Sequence, residues 1–340
     1  MRRNPSLLPI IVLVAAVAAV ILLPRIAWRG TRANQESFSS GSAFPTSVTD
    51  CRGAEIVIKR KPVRIVSLSP AVTEILFAIG AGNRVVADTD YCHFPQAAAK
   101  LPKVGGYLDP NPEKITAFAP DLVLLAKGTK KDVVDRLTSI GLTTVVVDPV
   151  DLAGTSKAIR LVGRAVGNTA QADQLAKSLD ARCRAITSKT ENLPDDKRPR
   201  TLFLFDLKAL FTAGVNNHID DLITKAGGRN IADKTGIQWP ELSMETVVAQ
   251  DPQVILLLEG HGNHNDYTTQ SALKILRADR RWQSVLAVKT GKIVILDDDI
   301  MTLPGPRLIQ GLEATARALH PELWGKSGVG GVRGAKEAIE

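Results

Sequence analysis

The chain has 340 residues, 44 % of them hydrophobic, which is enough to bury one large core or two ordinary ones. Its formal charge is +8 and its pI is near 9.4. The basic residues are scattered, with short clusters only at the N-terminus and over Lys197–Arg200, and no basic stretch with interleaved aromatics or RNA-binding signature accompanies them. Nucleic acid is therefore not an expected partner, and the charge reads as a solvated surface.

Along the chain, Arg2 and Arg3 precede an uncharged apolar run from Leu7 to Leu23. This is the layout of an export signal, and about 17 residues reach the lower limit for crossing a bilayer. Ile21-Leu22-Leu23-Pro24-Arg25 stands where a cleavage site would need small residues. Residues 1–28 are expected to be a signal peptide or an uncleaved signal anchor. Either places the rest in the periplasm or another extracytoplasmic space. Residues 29–47, rich in Ser, Gly, Asn and Thr, read as a flexible tether.

Residues 48–153 alternate strand and helix. Arg64–Leu68 is a predicted strand, with Ser69-Pro70 as cap and first position of a helix over Ala71–Ile79. Strand Arg84–Ala87, helix Pro112–Phe118, strand Asp121–Leu125, helix Lys130–Ile140 and strand Thr143–Val147 follow. Such alternation predicts a parallel sheet covered by helices. Residues 154–192 are helical in pattern, broken at Gly167-Asn168-Thr169, with a long helix expected over Ala170–Ser188. Residues 193–324 repeat the α/β alternation in Thr201–Phe205, His218–Ala226, Thr246–Gln250, Val254–Leu258, Leu273–Leu276, Ile293–Leu296 and a last helix Arg307–Leu319. His218 is expected to cap its helix. The Gly-rich residues 325–340 read as a disordered tail.

One pattern occurs twice, 132 residues apart. Asn111–Leu125 and Ser243–Leu257 share Glu113/Glu245, Ala117/Ala249, Pro120/Pro252, Leu124/Leu256 and Leu125/Leu257, with Gly128 and Gly260 at the same offset. An aromatic, Tyr107 or Trp239, stands six residues before each glutamate. Asn111 and Ser243 take the N-cap position, which puts each glutamate in the first helical turn. The helix dipole would stabilise a carboxylate there by about 0.3–1 kcal/mol, but neither glutamate completes a capping box. A carboxylate at each lobe tip that pairs with an arginine of a partner accounts for the recurrence better. Two flat rings in equivalent turns suit a large, planar, partly apolar ligand.

The chain has three cysteines, which leaves one odd in an exported protein. Cys51 and Cys92 are a possible disulfide within the first lobe, and Cys183 reads as a buried free thiol. Cys51 lies far beyond the apolar run and follows Val48-Thr49-Asp50, which argues against a lipid anchor.

Arg64–Gly82 (R-I-V-S-L-S-P-A-V-T-E-I-L-F-A-I-G-A-G) resembles the opening of ABC-importer substrate-binding proteins that carry cobalamin, haem and ferric siderophores. D-Y-C-H-F-P (Asp90–Pro95), K-V-G-G-Y (Lys103–Tyr107), W-P-E-L-S-M-E (Trp239–Glu245) and P-G-P-R (Pro304–Arg307) extend the resemblance over roughly Val48 to Trp324, most closely to the vitamin B12-binding members. The resemblance implies an α/β protein of two doubly wound lobes joined by a single long rigid helix, the class III periplasmic binding protein fold. It implies a ligand cleft between lobes drawing on Tyr107, Trp239, Ser69, Tyr91, Lys127, Asp298 and Arg307, with Glu113 and Glu245 docking onto a permease dimer that works with an ATPase. The expected ligand is a corrinoid first, then a ferric siderophore or haem. No cofactor beyond it, no catalytic residue and a monomeric state are expected.

Three alternatives stand beside that reading. A zinc or manganese importer subunit would need about three histidines and a carboxylate converging; His93, His218, His261, His264 and His320 are all there are, with His261 and His264 in a polar loop the weak candidates. An enzyme acting on a cofactor lacks a G-x-S-x-G elbow or a phosphate loop, and Asp297-Asp298-Asp299 reads as a strand exit or ligand edge rather than a catalytic cation site. A membrane-tethered sensor would not need the two tip glutamates.

Overall fold

The computed structural model describes residues 44–260 and 267–324. The predicted signal segment, most of the tether, His261, His264 and the Gly-rich tail lie outside the described residues. Among the described residues, no helix is long and apolar enough to cross a membrane.

The chain opens with an antiparallel hairpin that sequence reading missed, β1 (Thr46–Thr49) against β2 (Glu55–Ile58). Thr46 and Ser47, expected in the tether, instead pair with Ile58 and Val57. The hairpin is held by tertiary packing, since Val48 and Ile58 join the same apolar core as Ile159 and Val162 of the linker helices. Lobe 1 continues with β3 (Ile65–Leu68), α1 (Pro70–Ala78), β4 (Val85–Ala87), α2 (Gln96–Ala99), α3 (Pro112–Ala117), β5 (Leu122–Ala126), α4 (Lys131–Ser139) and β6 (Thr144–Val147). Helices α5 (Leu152–Val166) and α6 (Thr169–Thr190) follow. Lobe 2 comprises β7 (Arg200–Leu204), α7 (His218–Lys225), β8 (Arg229–Asn230), α8 (Met244–Gln250), β9 (Val254–Leu258), α9 (Thr269–Ala278), α10 (Leu286–Thr290), β10 (Ile293–Leu296), α11 (Asp298–Thr302) and α12 (Leu308–Leu319).

Each lobe holds a parallel four-stranded sheet, ordered β4-β3-β5-β6 in lobe 1 and β10-β9-β7-β8 in lobe 2. Read from the first strand of each lobe, the two orders are the same. In both sheets the strand order reverses beside that first strand, between β3 and β5 and between β7 and β9. Ligands in such sheets bind beyond the carboxyl ends of the strands at that point. The runs LVLLA of β5 and VILLL of β9 are buried at every residue, as expected of parallel strands covered on both faces.

Alternate residues of these strands face two cores. Val123 and Leu125 of β5, with Val66 and Leu68 of β3, pack in a core of lobe 1. Ile255 and Leu257 of β9, with Leu202 and Leu204 of β7, pack in a core of lobe 2. Their neighbours Leu122, Leu124, Phe203, Leu256 and Leu258 meet Ile159, Val162, Leu179 and Leu312 in one core that runs through both lobes. The expected long helix is α6, of 22 residues, and α5 packs directly against it. A Cβ at Gly163 would lie 2.1 Å from that of Ala172, so only glycine permits this approach. A continuous core across the linker opposes a wide hinge, because close-packed interiors shift between discrete arrangements rather than deforming freely.

Candidate functional site

The duplicated motif forms the same local structure twice. The Asn111 side chain accepts from Lys114 N–H at 2.8 Å, and the Ser243 hydroxyl accepts from Thr246 N–H at 3.1 Å. Glu113 and Glu245 therefore sit at the second helical position, exposed and outside the caps. Both helices end in a left-handed residue that is not glycine, Ala119 (φ 43°) and Asp251 (φ 42°), followed by buried Pro120 or Pro252 and the next strand. The proline and leucine matches thus belong to the fold. The glutamates do not, since neither contributes to the cap or the turn. Glu113 meets Arg136 of α4 at 2.5 Å, with both side chains more than half exposed, a setting where an ion pair contributes about 0–1 kcal/mol. Glu245 has no ion-pair partner among the described residues.

At the carboxyl end of the lobe 1 sheet, Ser69 is buried. It opens α1 without a side-chain cap, and its carbonyl accepts from Thr73 N–H. The D-Y-C-H-F-P loop is anchored by a chain of hydroxyls and a thiol. Ser67 Oγ donates to the Ser69 carbonyl and Thr73 Oγ1 donates to Ser67 Oγ at 2.8 Å. With its one proton spent, Thr73 can only accept from the Cys92 thiol at 3.3 Å, leaving Thr89 to donate to Cys92 Sγ. Burial pushes the Cys92 thiol above its usual range, keeping it protonated for this role. The possible Cys51–Cys92 disulfide is accordingly not formed: both are free thiols, Cys92 buried in this network and Cys51 exposed in the hairpin turn. Cys183 is also free but only half-buried.

The same loop is held from below by Lys103, whose ammonium donates to Asp88 Oδ1 at 2.7 Å and to the carbonyls of Cys92 and Ala98 at 3.1 Å. All three donors are used. The loop then projects Tyr91, which is 60 % exposed. Tyr107 is half-buried over Gly128, and burial, with Asp148 next, raises its phenol above the usual value. Lys127, just beyond β5, pairs with Asp148, just beyond β6, at 2.9 Å. Ser69, Lys127 and Tyr107 therefore gather where β3, β5 and β6 end.

In lobe 2, Trp239 is half-buried and meets Phe205 edge-on at 5.9 Å. Phe205 also packs on Phe203 at 5.0 Å and on Phe211 at 5.2 Å. Phe205 and Phe211, missed in the sequence, are signalled there only by F-L-F at a strand end followed by a third phenylalanine. The Trp239 segment is pinned by Gly214 N–H to the Gln238 carbonyl and Thr212 N–H to the Pro240 carbonyl. Asn217, not His218, caps α7, accepting from Ile219 and Asp220 N–H. His218 is buried with its ring centroid 6.0 Å from that of Trp239, and burial depresses it to about 4, so it is neutral at physiological pH. Asp297 caps α11 through Ile300 N–H, while Asp298 accepts from Gly260 N–H at 3.4 Å. The acidic triplet thus opens a short helix. Among the described residues, no group of three or more His, Cys, Asp or Glu is arranged to hold a metal ion.

Arg307, expected among the ligand-binding residues, pairs with Glu74 of lobe 1. Its Nε lies 3.1 Å from both Glu74 carboxylate oxygens and its Nη2 lies 2.5 Å from Oε1. The guanidinium carbon stacks 4.0 Å from the Phe94 ring centroid. Burial raises the Glu74 carboxyl despite the arginine beside it. A partner 233 residues away in sequence leaves no local signal.

The chain resembles known proteins along most of its length. It is 29 % identical to an uncharacterized ABC transporter substrate-binding lipoprotein of Bacillus subtilis, over 91 % of this chain and 98 % of the relative. It is 30 % identical to a vitamin B12-binding protein of Salmonella paratyphi A, over 75 % of this chain and 90 % of the relative. The solved apo structure of a periplasmic heme-binding protein of Roseiflexus sp. RS-1 superposes with a TM-score of 0.66 at 28 % identity, covering 76 % of this chain and 98 % of that one. The family model described as periplasmic binding protein matches residues 65–300. With two α/β lobes of one topology, a helical linker and that match, the chain belongs to the periplasmic binding protein family.

Proposed function

We propose that this chain is the substrate-binding protein of an ABC importer, working outside the cytoplasm. It captures a metal chelate between its lobes and delivers it to a membrane permease dimer coupled to an ATPase. The observation that carries the reading is the pair of exposed glutamates at equivalent positions of two lobes of the same topology, outside the caps and turns that shape their helices. A symmetric partner with an arginine on each half would engage both, and charge-assisted pairs fix the docking orientation.

For the ligand, a corrinoid stands first and a ferric siderophore or haem next. The half-buried Tyr107 and the Trp239–Phe205–Phe211 cluster support a broad, partly apolar ligand, and the vitamin B12-binding relative favours the corrinoid. Ser69, Tyr91, Lys127 and Asp298 supply polar contacts around those rings.

Reversing both Glu113 and Glu245 to lysine should abolish uptake in whole cells while leaving the affinity of the purified protein for cyanocobalamin nearly unchanged. Normal uptake by the double variant would remove the docking assignment.

A further inference from the structure

We propose that Arg307 is a positioning residue that ties lobe 2 to the lobe 1 ligand loop through Glu74 and Phe94, setting the spacing of the lobes before ligand arrives. The inference rests on the reading that the cleft between lobes receives the ligand. Arg307 precedes α12 of lobe 2, Glu74 lies on α1 of lobe 1, and Phe94 belongs to the loop that also projects Tyr91. One guanidinium thus touches three functional parts: the helix after the first strand of lobe 1, the ligand loop and its own lobe.

The contact is built rather than incidental. Arg307 and Glu74 are 14 % and 3 % exposed. The backbone around Arg307 closes tightly on lobe 1, where a Cβ at Gly305 would lie 3.1 Å from Glu74 Oε2. The Pro304 carbonyl accepts from Thr155 Oγ1 at 3.3 Å, so the linker helix α5 grips the same segment. A second tie, Leu152 N–H to Asp221 Oδ2 at 3.0 Å, joins α5 to α7 of lobe 2. Asp299 adds a carboxylate 3.9 Å from the guanidinium.

Cohesion alone explains this poorly. Removing two charges from water offsets most of their attraction, and apolar side chains of similar volume often serve stability as well. A planar fork on a carboxylate supplies direction, which a methionine or a lysine cannot reproduce. Stacking on Phe94 extends that direction to the loop beside the ligand. With the lobe spacing set in advance, binding loses less conformational freedom.

The test uses the chain with Asp135→Cys on α4 and Lys274→Cys on α9, both exposed, in a background carrying Cys51→Ser and Cys183→Ser. Spin labels there report the distribution of distances between lobes without ligand, and Trp fluorescence reports cyanocobalamin affinity. Arg307→Met should broaden the distribution and weaken cyanocobalamin about tenfold, with Arg307→Lys between it and the parent. Glu74→Gln should broaden it too, and serves as the readout if Arg307→Met does not fold. A distribution of parental width in the folded variant, whatever its melting temperature, would overturn the proposal. If the parent does not respond to cyanocobalamin, the corrinoid assignment fails instead, and the distance measurement still decides the role of Arg307.

Discussion

The most quantitative expectation concerns Asp88, at the carboxyl end of β4. Its side chain is fully buried, Lys103 reaches only Oδ1, and Oδ2 has no hydrogen-bond partner. Burial outweighs the Lys103 ammonium and lifts the carboxyl to about 6, with Asp90 adding to the rise. Between about pH 4 and pH 6 the folded protein therefore holds a proton that the unfolded chain has released. Stability from this group falls as pH rises through that window and is level above it. Asp88→Asn removes the titration and keeps an acceptor for Lys103. Relative to wild type, the variant should gain about 2 kcal/mol between about pH 4.5 and pH 7.5, from roughly 1.4 kcal/mol per unit of pKa over the part of the shift that window covers. Urea unfolding of both proteins at several pH values in that range measures the difference, in which other groups cancel. His218 is one of these: its depressed pKa acts in the opposite sense, with stability lost as pH falls below about 6.5. A wild-type-to-variant difference that does not change with pH, or that changes with the opposite sign, would refute the burial argument.

Alkylation of the native protein should label Cys51 and spare Cys92 until unfolding, with all three thiols recovered without reductant. A Cys51–Cys92 cross-link in the purified protein would contradict the hydroxyl–thiol chain. Ala119→Gly should leave stability equal or raise it by up to about 1 kcal/mol, because a left-handed residue with a Cβ is strained by about 1–2 kcal/mol and glycine recovers this less its own entropy. A clear fall in the melting temperature would show that the Ala119 methyl group packs in a way that outweighs the strain.

The sequence made the two-lobed plan legible because parallel strands buried on both faces leave unbroken apolar runs, LVLLA and VILLL, at one offset. The caps Asn111 and Ser243 were legible for a related reason: the helix start needs an acceptor at a fixed position. What stayed hidden depends on partners distant in the chain. The hairpin of β1 and β2 has weak strand character and is held by α5. The two-residue β8, Arg229–Asn230, pairs with β7 through the main chain, so its side chains carry little signal. The contacts of Arg307 with Glu74 and Phe94 join residues more than 200 positions apart. Cys92 reads as half a disulfide until Thr73 and Thr89 are placed. The aromatic cluster around Trp239 needed the return of the chain from Phe205 to Phe211, which no periodicity announces.

The central claim, capture of a chelate against the aromatic faces of the cleft, is tested most directly by titrating the purified protein with cyanocobalamin, haemin and a ferric hydroxamate while following tryptophan fluorescence. Saturable quenching by at least one of them, cyanocobalamin foremost, is expected, and Trp239→Phe should remove most of the change while Tyr107→Ala weakens binding. No response to any of the three by the folded protein, or a quench unaffected by Trp239→Phe, would contradict the account.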